Sequence, residues 1–295
     1  MLTNLFKLLR PKQWAKNLLV FAAWMFAGKY TDQSALLSVL VAFVSMSLAS
    51  SSVYIVNDIL DRKRDQNHPK KKHRPIASGA VPAGTALGLS IVLVAASLVL
   101  AYTLTTTCFV LVVFYLLLQI AYNLKLKTVP VLDVFVIATG FIVRAVLGAS
   151  ALVVAISGWF LFCTGALALM LGFAKRRNEF ITQGETASSS RESLTHYSKP
   201  ALDALVVIFA TGAAICYGIY TLQSSAAREH PSLILTAPFV FYGITRYVLL
   251  VFQQDEGGEP ADLLFGDWHI IGSVVCFIAA AALAISGLKL PFLEP

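Results

Sequence analysis

Charged residues are scarce in this chain. Asp, Glu, Lys and Arg make up 13% of its 295 residues, whereas 57% are hydrophobic. Soluble globular domains carry about a quarter charged residues. The composition therefore excludes an ordinary water-soluble protein. It indicates a polytopic membrane protein, in which each span needs about 20 apolar residues.

Cysteine is also scarce. The four cysteines, Cys108, Cys163, Cys216 and Cys276, lie within apolar stretches and show neither metal-ligand spacing nor paired spacing. Free cysteine is among the most buried residue types. We therefore expect buried thiols, and we expect neither a disulfide framework nor a cysteine metal site.

Nine apolar stretches are candidate membrane spans, the first being the weakest because Lys29 interrupts it. They lie near residues 17–31, 35–56, 84–104, 106–123, 131–151, 155–174, 201–222, 233–252 and 269–288. With nine spans, the N-terminus and the connections after even-numbered spans share one side of the membrane. That side holds 18 of the 23 Lys and Arg residues. Since basic loops stay in the cytoplasm, we expect a multi-pass protein of the cell inner (plasma) membrane with its functional face in the cytoplasm.

The second predicted span ends in an acidic cluster. Asn57, Asp61 and Asp65 are four residues apart and share one face of a helix, with Asp58 beside them. Oxygen ligands of this kind suit Mg²⁺, which commonly bridges protein carboxylates to substrate phosphates. The alternative is a solvated helix end with ordinary charges. With many Lys and Arg on the same face, the cluster is typical of a site that holds a diphosphate.

Basic residues near the same membrane face are candidate phosphate ligands. Lys125 and Lys127 follow Tyr122 at the end of the fourth span, and Lys175 and Arg176 follow the sixth. Membrane anchoring by the positive-inside rule explains these residues equally well.

Two arginines lie within predicted spans. At about 1.5 Å rise per residue, Arg144 is roughly 20 Å along the fifth span. An arginine that deep usually faces a cavity or a partner. Arg246, in the eighth span, admits the same argument less strongly because it is nearer the cytoplasmic end.

These motifs resemble the UbiA superfamily of intramembrane prenyltransferases. Asn57-Asp58-x-x-Asp61-x-x-x-Asp65 resembles the first aspartate-rich motif of that superfamily, and residues 73–79 resemble the loop that follows it. The resemblance covers essentially the whole chain. It implies a single transmembrane domain over residues 1–295, all-α, with nine transmembrane helices around a central cavity.

One stretch departs from the aromatic prenyltransferases of this superfamily. Those enzymes carry a second DxxxD motif after span 6, which binds a second Mg²⁺, whereas residues 174–179 of this chain read Ala-Lys-Arg-Arg-Asn-Glu. The departure resembles the subfamily that uses phosphoribosyl diphosphate as donor and decaprenyl phosphate as acceptor. Segments 10–17, 122–127, 133–149 and 258–260 also resemble that subfamily.

The resemblance implies an Mg²⁺-dependent, membrane-embedded glycosyltransferase. Its reaction moves 5-phosphoribose from phosphoribosyl diphosphate to a polyprenyl phosphate and releases diphosphate, in the synthesis of cell-wall arabinan precursors. The implied catalytic residues are Asn57, Asp58, Asp61 and Asp65, the three aspartates being the metal ligands. The implied substrate-binding residues are Lys16, Arg74, Tyr122, Lys125, Lys127, Arg144, Lys175, Arg176, Glu179 and Arg246. The expected partners are the two substrates and the membrane, without nucleic acid, and the oligomeric state stays open.

Two alternatives remain at this stage. An aromatic polyprenyltransferase would use a prenyl diphosphate donor, and the absent second DxxxD motif argues against it. A transporter or lipid flippase predicts broken spans at matched places in the two halves, whereas the acidic cluster lies at the cytoplasmic edge. Release of diphosphate separates the transferases from a transporter.

Overall fold

The computed structural model describes residues 2–26, 32–67, 71–183, 192–253 and 266–287. These residues form α-helices and short 3-10 helices joined by turns, and the described part contains no strand. The predicted all-α fold is confirmed.

The elements follow one another in chain order. The α-helices are α1 (Leu2–Leu9), α2 (Ala22–Phe26), α3 (Gln33–Leu60), α4 (Arg62–Gln66), α5 (Ala83–Leu104), α6 (Thr106–Leu124), α7 (Leu132–Leu152), α8 (Gly158–Gln183), α9 (Lys199–Gln223), α10 (Ser225–Glu229), α11 (Ala237–Gln253) and α12 (Trp268–Ile285). The 3-10 helices are Pro11–Phe21, named here the N-terminal 3-10 helix, Lys71–His73, Leu126–Thr128, Glu192–His196 and Pro231–Thr236.

Eight segments of the described chain are long and apolar enough to cross a membrane. They are α3, α5, α6, α7, α8 (as far as Thr182), α9, the segment Pro231–Gln253 that ends in α11, and α12. They correspond to the second through ninth predicted spans. The first predicted span, 17–31, starts in the N-terminal 3-10 helix and continues through α2, and residues 27–31 lie outside the described residues. Segment 258–260 also lies outside them.

The chain divides into two compact units. Unit 1 consists of residues 1–124 and 143–155, and unit 2 of residues 125–142 and 156–295. The first part of α7 belongs to unit 2 and its last part to unit 1. The single domain expected from the sequence stays a prediction.

In unit 1, serine side chains join α3 to α5. The hydroxyl of Ser45 donates to the carbonyl oxygen of Ser97 at 2.8 Å, and the hydroxyl of Ser97 donates to the carbonyl oxygen of Ser45 at 2.8 Å. Small residues let two helix backbones approach closely, as is common in membranes. The pairing fixes α3, the helix that carries the acidic cluster.

The N-terminal 3-10 helix lies along α3. With three residues per turn, Trp14, Asn17 and Val20 share one face, and both Asn17 and Val20 are fully buried. Trp14 Nε1 donates to Ser51 Oγ at 3.0 Å. A methyl group at Gly148 would overlap the carbonyl oxygen of Val20. The glycine therefore permits this close approach.

Unit 2 has its own apolar core. It gathers buried side chains from α7, α8, α9, α11 and α12, including Met170, Phe173, Leu202 and Val206. The rings of Phe173 and Phe209 stack at 5.5 Å between centroids. This core surrounds the start of α7, where Asp133 lies.

Candidate active site

The acidic cluster lies where α3 gives way to α4. Asp61 N donates to Asn57 O at 2.9 Å and Asp65 N donates to Asp61 O at 2.8 Å, so helical hydrogen bonding continues through this corner. Asp58 and Asp65 are each 3% exposed. Asn57 and Asp61 are partly exposed. The corner therefore presents two buried carboxylates, with Asp61 between them in the chain.

Arg74 joins the two buried carboxylates. Its Nη1 donates to Asp58 Oδ1 at 2.9 Å and to Asp65 Oδ2 at 2.7 Å. The loop that carries Arg74 is held to α4 by Gln66, whose Nε2 donates to Ala77 O at 3.2 Å. The motif after α4 thus folds back and brings one guanidinium to both carboxylates.

Arg10 also binds Asp58, and sequence reasoning gave this residue no role in the site. Its Nη2 donates to both carboxylate oxygens, at 2.6 and 2.8 Å. Its guanidinium carbon lies 5.0 Å from the ring centroid of Tyr54, a cation–π arrangement. The available sequence signal was the basic Arg-Pro start of the N-terminal 3-10 helix, but the pairing joins residues 48 positions apart.

Lys71 adds a further cation near this corner. Partial burial lowers the pKa of the Lys71 ammonium, and the charge of Arg74 lowers it further, while Asp65 raises it. Burial and the neighbouring guanidinium thus outweigh the attraction of Asp65 for the Lys71 ammonium.

A row of polar contacts leads from Asp58 toward Arg144 within unit 1. Beyond Arg10 and Trp14, Asn17 Nδ2 donates to Ser47 Oγ at 3.0 Å and to Ser50 Oγ at 3.3 Å. From Arg10 through Trp14 to Asn17 the residue numbers increase, whereas those of their partners on α3 decrease from Asp58 through Ser51 to Ser47. The two elements are therefore antiparallel and are joined by side chains at successive turns.

Arg144 ends this row. Its Nε donates to Asn17 Oδ1 at 2.7 Å and its Nη2 donates to the Tyr115 hydroxyl at 3.2 Å. The guanidinium also lies over the Tyr115 ring, 5.2 Å from the centroid. Arg144 is 6% exposed, so this deep arginine is a buried, partnered group, as the sequence argument expected of an arginine at that depth.

In unit 2, Arg176 is an interior residue. Its Nε donates to Asp133 Oδ2 at 2.8 Å, and its Nη1 donates to Glu179 Oε2 at 2.5 Å. Arg176 is 2% exposed and Asp133 is fully buried. Ser193 Oγ also donates to Asp133, at 3.5 Å. Arg176, one of the cations in the stretch that departs from a second acidic motif, is thus paired with acids within unit 2.

The neighbouring Arg177 follows the same pattern. Its Nε donates to Asp203 Oδ1 at 2.5 Å and its Nη1 donates to Val251 O at 2.8 Å. Near Arg176 and Asp133, burial raises the pKa of the Tyr197 phenol. Both arginines at the end of α8 therefore tie this helix to its neighbours.

The remaining predicted site residues lie closer to solvent. Lys16 and Lys125 are exposed, and Tyr122, Lys127 and Lys175 are partly exposed. No phosphate-binding arrangement among these five is assigned by the structure, and their roles stay predictions.

Arg246 pairs with the residue that begins α12. Its Nη2 donates to Asp267 Oδ2 at 2.8 Å, and this hydrogen bonding holds the pKa of Asp267 below its usual value. Asp267 also accepts from Ile270 N at 3.0 Å. Arg246 thus contacts a helix cap, and its predicted contact with substrate stays a prediction.

The buried carboxylate pair suits an Mg²⁺ ion that also binds substrate. Because Arg74 Nη1 contacts one oxygen of Asp58 and one of Asp65, these oxygens are no more than about 5.6 Å apart. Mg²⁺ is usually bound by one or two carboxylates together with phosphate oxygens and waters. Among the described residues, no group of three or more His, Cys, Asp and Glu forms a metal site alone. The donor set therefore fits an ion shared with a diphosphate, and Asp61 as a third ligand stays a prediction.

Curated relatives match nearly the whole chain. It is 34% identical to the decaprenyl-phosphate phosphoribosyltransferase of Mycolicibacterium smegmatis, over 90% of this chain and 87% of the relative. Identity to the enzyme of the same name from Corynebacterium glutamicum is 33%, covering 90% and 81%. The nodulation protein NoeC of Azorhizobium caulinodans is 28% identical over 92% and 89%.

Solved structures share the fold. A UbiA homolog from Archaeoglobus fulgidus bound to GPP and Mg²⁺ superposes with a TM-score of 0.73 at 18% identity, covering 96% of this chain and 99% of that one. A structure of digeranylgeranylglyceryl phosphate synthase gives 0.69 at 16% identity, covering 97% and 99%. The family model described as the UbiA prenyltransferase family matches residues 18–271. This chain is therefore a member of the UbiA prenyltransferase family.

Proposed function

We propose that this protein is a polyprenyl-phosphate phosphoribosyltransferase. It moves 5-phosphoribose from phosphoribosyl diphosphate to a polyprenyl phosphate, such as decaprenyl phosphate, and releases diphosphate. Support comes from relatives named decaprenyl-phosphate phosphoribosyltransferase, which match at 33–34% identity over 90–95% of this chain.

The observation that carries this choice lies at the end of α8. Aromatic prenyltransferases have a second acidic motif there, but in this chain Arg176 occupies the position and binds both Asp133 and Glu179. The Arg176 side chain is only 3% exposed and is enclosed between these acids, so it has no room to turn away and free them for a second Mg²⁺. Arg10 and Arg74, whose side chains are 23% and 27% exposed, have room to exchange their charge-assisted hydrogen bonds with Asp58 and Asp65 for bonds to phosphate oxygens. The geometry thus disfavours an aromatic prenyltransferase that needs two metal ions.

The bond changes are confined to the anomeric carbon of the donor. The bond from C1 to the diphosphate oxygen breaks, and its electron pair leaves with the diphosphate. A phosphate oxygen of the lipid then forms the new bond to C1. Because this oxygen is already ionised near neutral pH, the transfer needs no strong general base in the protein.

Asp58 and Asp65 would hold Mg²⁺, with Asn57 and Asp61 beside them. When bound, the ion supplies positive charge that stabilises the leaving diphosphate. Arg74 lies against both carboxylates and would donate to oxygens of the bound diphosphate. Charge-assisted hydrogen bonds from guanidinium to phosphate are short and directional, so Arg74 also orients the donor.

The other predicted cations are assigned to the donor 5-phosphate and the lipid phosphate. They are Lys16, Lys125, Lys127 and Lys175, with Tyr122 as a further polar group. We retain the proposal that three further residues contact substrate, namely Arg144, Arg246 and Glu179. Arg176 acts as a positioning residue, because its guanidinium is buried between two acids. We assign the protein to the cell inner membrane, with this site facing the cytoplasm.

Product formation tests the proposal. The purified protein in detergent is incubated with Mg²⁺, labelled phosphoribosyl diphosphate and a polyprenyl phosphate, and both labelled lipid and diphosphate are measured. We expect both products, and we expect EDTA to abolish them. Product from a prenyl diphosphate and an aromatic acid, with none from phosphoribosyl diphosphate, would move this chain to the aromatic prenyltransferases.

A further inference from the structure

The backbone at Arg10 is unusual for its sequence. Its φ of 50° and ψ of 59° place it in the left-handed region, which non-glycine residues seldom adopt. Residues before a proline are further biased toward extended conformations, and Pro11 follows. Such a conformation persists where the surrounding contacts require it, and it is concentrated at functional sites. Here it directs the Arg10 side chain at Asp58.

The segment after Arg10 is firmly held. The N-terminal 3-10 helix has 11 residues, whereas runs longer than three or four are uncommon. Trp14 binds Ser51, and Asn17 is fixed between α3 and Arg144. These contacts hold the position of Arg10 from its C-terminal side.

The two buried carboxylates are matched by two arginines without any ligand. Asp58 and Asp65 carry two negative charges, and Arg10 and Arg74 carry two positive charges at hydrogen-bonding distance. A divalent ion entering alone would leave an excess of two positive charges beside a carboxylate that is 4% exposed. Because charges in a partly buried site are weakly screened, such binding is unfavourable. An incoming diphosphate removes the excess.

Arg10 has donors to spare for that diphosphate. In the described part of the chain, all hydrogen bonds from its side chain use Nη2. Its Nη1 and Nε remain available, and its side chain is 23% exposed. A planar guanidinium matches phosphate oxygens in a bidentate manner, which lysine does not.

Resting on the proposed function, we propose that Arg10 is a ligand of the substrate diphosphate and is held on Asp58 until metal and diphosphate arrive together. In the ligand-free protein it satisfies the buried carboxylate and opposes binding of a divalent ion alone. In the substrate complex its guanidinium turns from Asp58 to the diphosphate oxygens. Metal and diphosphate therefore bind cooperatively, and Arg10 supplies part of the coupling.

Mn²⁺ binding to the purified protein in detergent tests this role of Arg10. The binding is measured by electron paramagnetic resonance, with and without inorganic diphosphate. The wild type should bind Mn²⁺ weakly alone and more tightly with diphosphate. Arg10→Ala should bind Mn²⁺ alone several-fold more tightly, since an opposing cation is gone. The gain from diphosphate, which is the factor by which diphosphate tightens Mn²⁺ binding, should be about tenfold smaller in this variant than in the wild type. Tenfold is the scale of one charge-assisted hydrogen bond.

Two further variants make the result specific. Arg62→Ala removes an exposed arginine of α4 and should behave as the wild type. Arg10→Lys keeps the charge but lacks the planar fork, so Mn²⁺ alone should bind as in the wild type while the gain from diphosphate falls. This variant also serves if Arg10→Ala does not yield folded protein, judged by a monodisperse elution profile.

The outcomes separate the two claims. If Arg10→Ala binds Mn²⁺ alone no more tightly than the wild type, or if both Arg10 variants keep the full gain from diphosphate, the role of Arg10 is overturned. If the wild type binds no Mn²⁺ with or without diphosphate, the metal site of the proposed function fails, and the inference fails with it.

Discussion

At the scale of single residues, the acidic cluster divides into buried and partly exposed members. Asp58 and Asp65 are buried and bound by arginines, whereas Asp61 is partly exposed. Burying a carboxylate is costly unless it is paired and hydrogen-bonded. The two buried carboxylates therefore depend on Arg10 and Arg74 for charge compensation, and in the proposed substrate complex a bound Mg²⁺ would share that role.

Replacing Asp58 by Asn should abolish most transfer. The amide keeps the shape but removes the charge that binds Arg10, Arg74 and the metal ion. We expect the rate of labelled lipid formation to fall by about a hundredfold or more, beyond the 10–100-fold typical of residues outside the metal's own ligands.

A matched variant separates this effect from general loss of acidic charge. Asp32 caps the exposed start of α3 by accepting from Ser34 N at 2.9 Å, and Asn caps helices as well as Asp does. Asp32→Asn should retain wild-type activity. Activity of Asp58→Asn within threefold of the wild type would contradict the assigned site.

At the scale of elements, sequence spacing predicted what depends on local periodicity. Apolar runs of about 20 residues identified the eight spans from α3 to α12. The spacing of Asn57, Asp61 and Asp65 predicted a helical path through the acidic corner, because that path needs only neighbouring hydrogen bonds. An 11-residue 3-10 helix was not predicted, since its residues 17–21 read as the start of an apolar span.

Sequence spacing did not predict which side chains pair when the two residues are far apart in the chain. Arg144 meets Asn17 across 127 positions, and Arg176 meets Asp133 across 43. Such pairs follow from helix packing, on which hydrophobic periodicity carries no information. Sequence reasoning therefore named Arg144 and Arg176 as site residues without identifying Asn17 and Asp133 as their partners, and it gave Arg10 no role.

The ion pair between α7 and α8 should be a major stabilising contact. Arg176→Met leaves Asp133 buried without its cation, which typically costs about 3–5 kcal/mol. At roughly 2–4 °C per kcal/mol for a chain of this size, the apparent Tm in detergent should fall by about 10 °C.

The double variant Asp133→Asn with Arg176→Met tests the cause of that loss. Removing both charges should recover much of the Tm, because the penalty comes from the unpaired carboxylate. Arg62→Ala, at an exposed position, should leave Tm unchanged. A Tm of Arg176→Met within 1 °C of the wild type would refute a structural role for the pair.

The contact of the N-terminal 3-10 helix with α7 depends on Gly148. Gly148→Ala would place a methyl group against the carbonyl oxygen of Val20, and overpacking of this kind costs about 1–3 kcal/mol. We expect a lower apparent Tm. Gly88→Ala in α5, where a methyl group meets no atom within 4 Å, should match or exceed the wild type. An unchanged Tm for Gly148→Ala would show that the close approach is dispensable.

At the scale of the whole molecule, the distribution of charge predicts the orientation in the membrane. Lys63 follows α3, whereas Arg228 lies between α9 and α11, and both are exposed. Five spans, α5 to α9, separate them, so they lie on opposite sides of the membrane whether or not the first predicted span crosses. The basic residues around Lys63 predict that this side faces the cytoplasm.

Cysteine labelling in intact cells checks this orientation. In a variant whose four native cysteines are replaced, Arg228→Cys should react with a membrane-impermeant maleimide, and Lys63→Cys should react only after the cells are opened. The acidic corner, in which Lys63 lies between Asp61 and Asp65, would then face the compartment in which phosphoribosyl diphosphate must be supplied. Labelling of Lys63→Cys in intact cells would place the site on the outer face, where a soluble cytoplasmic donor cannot reach it.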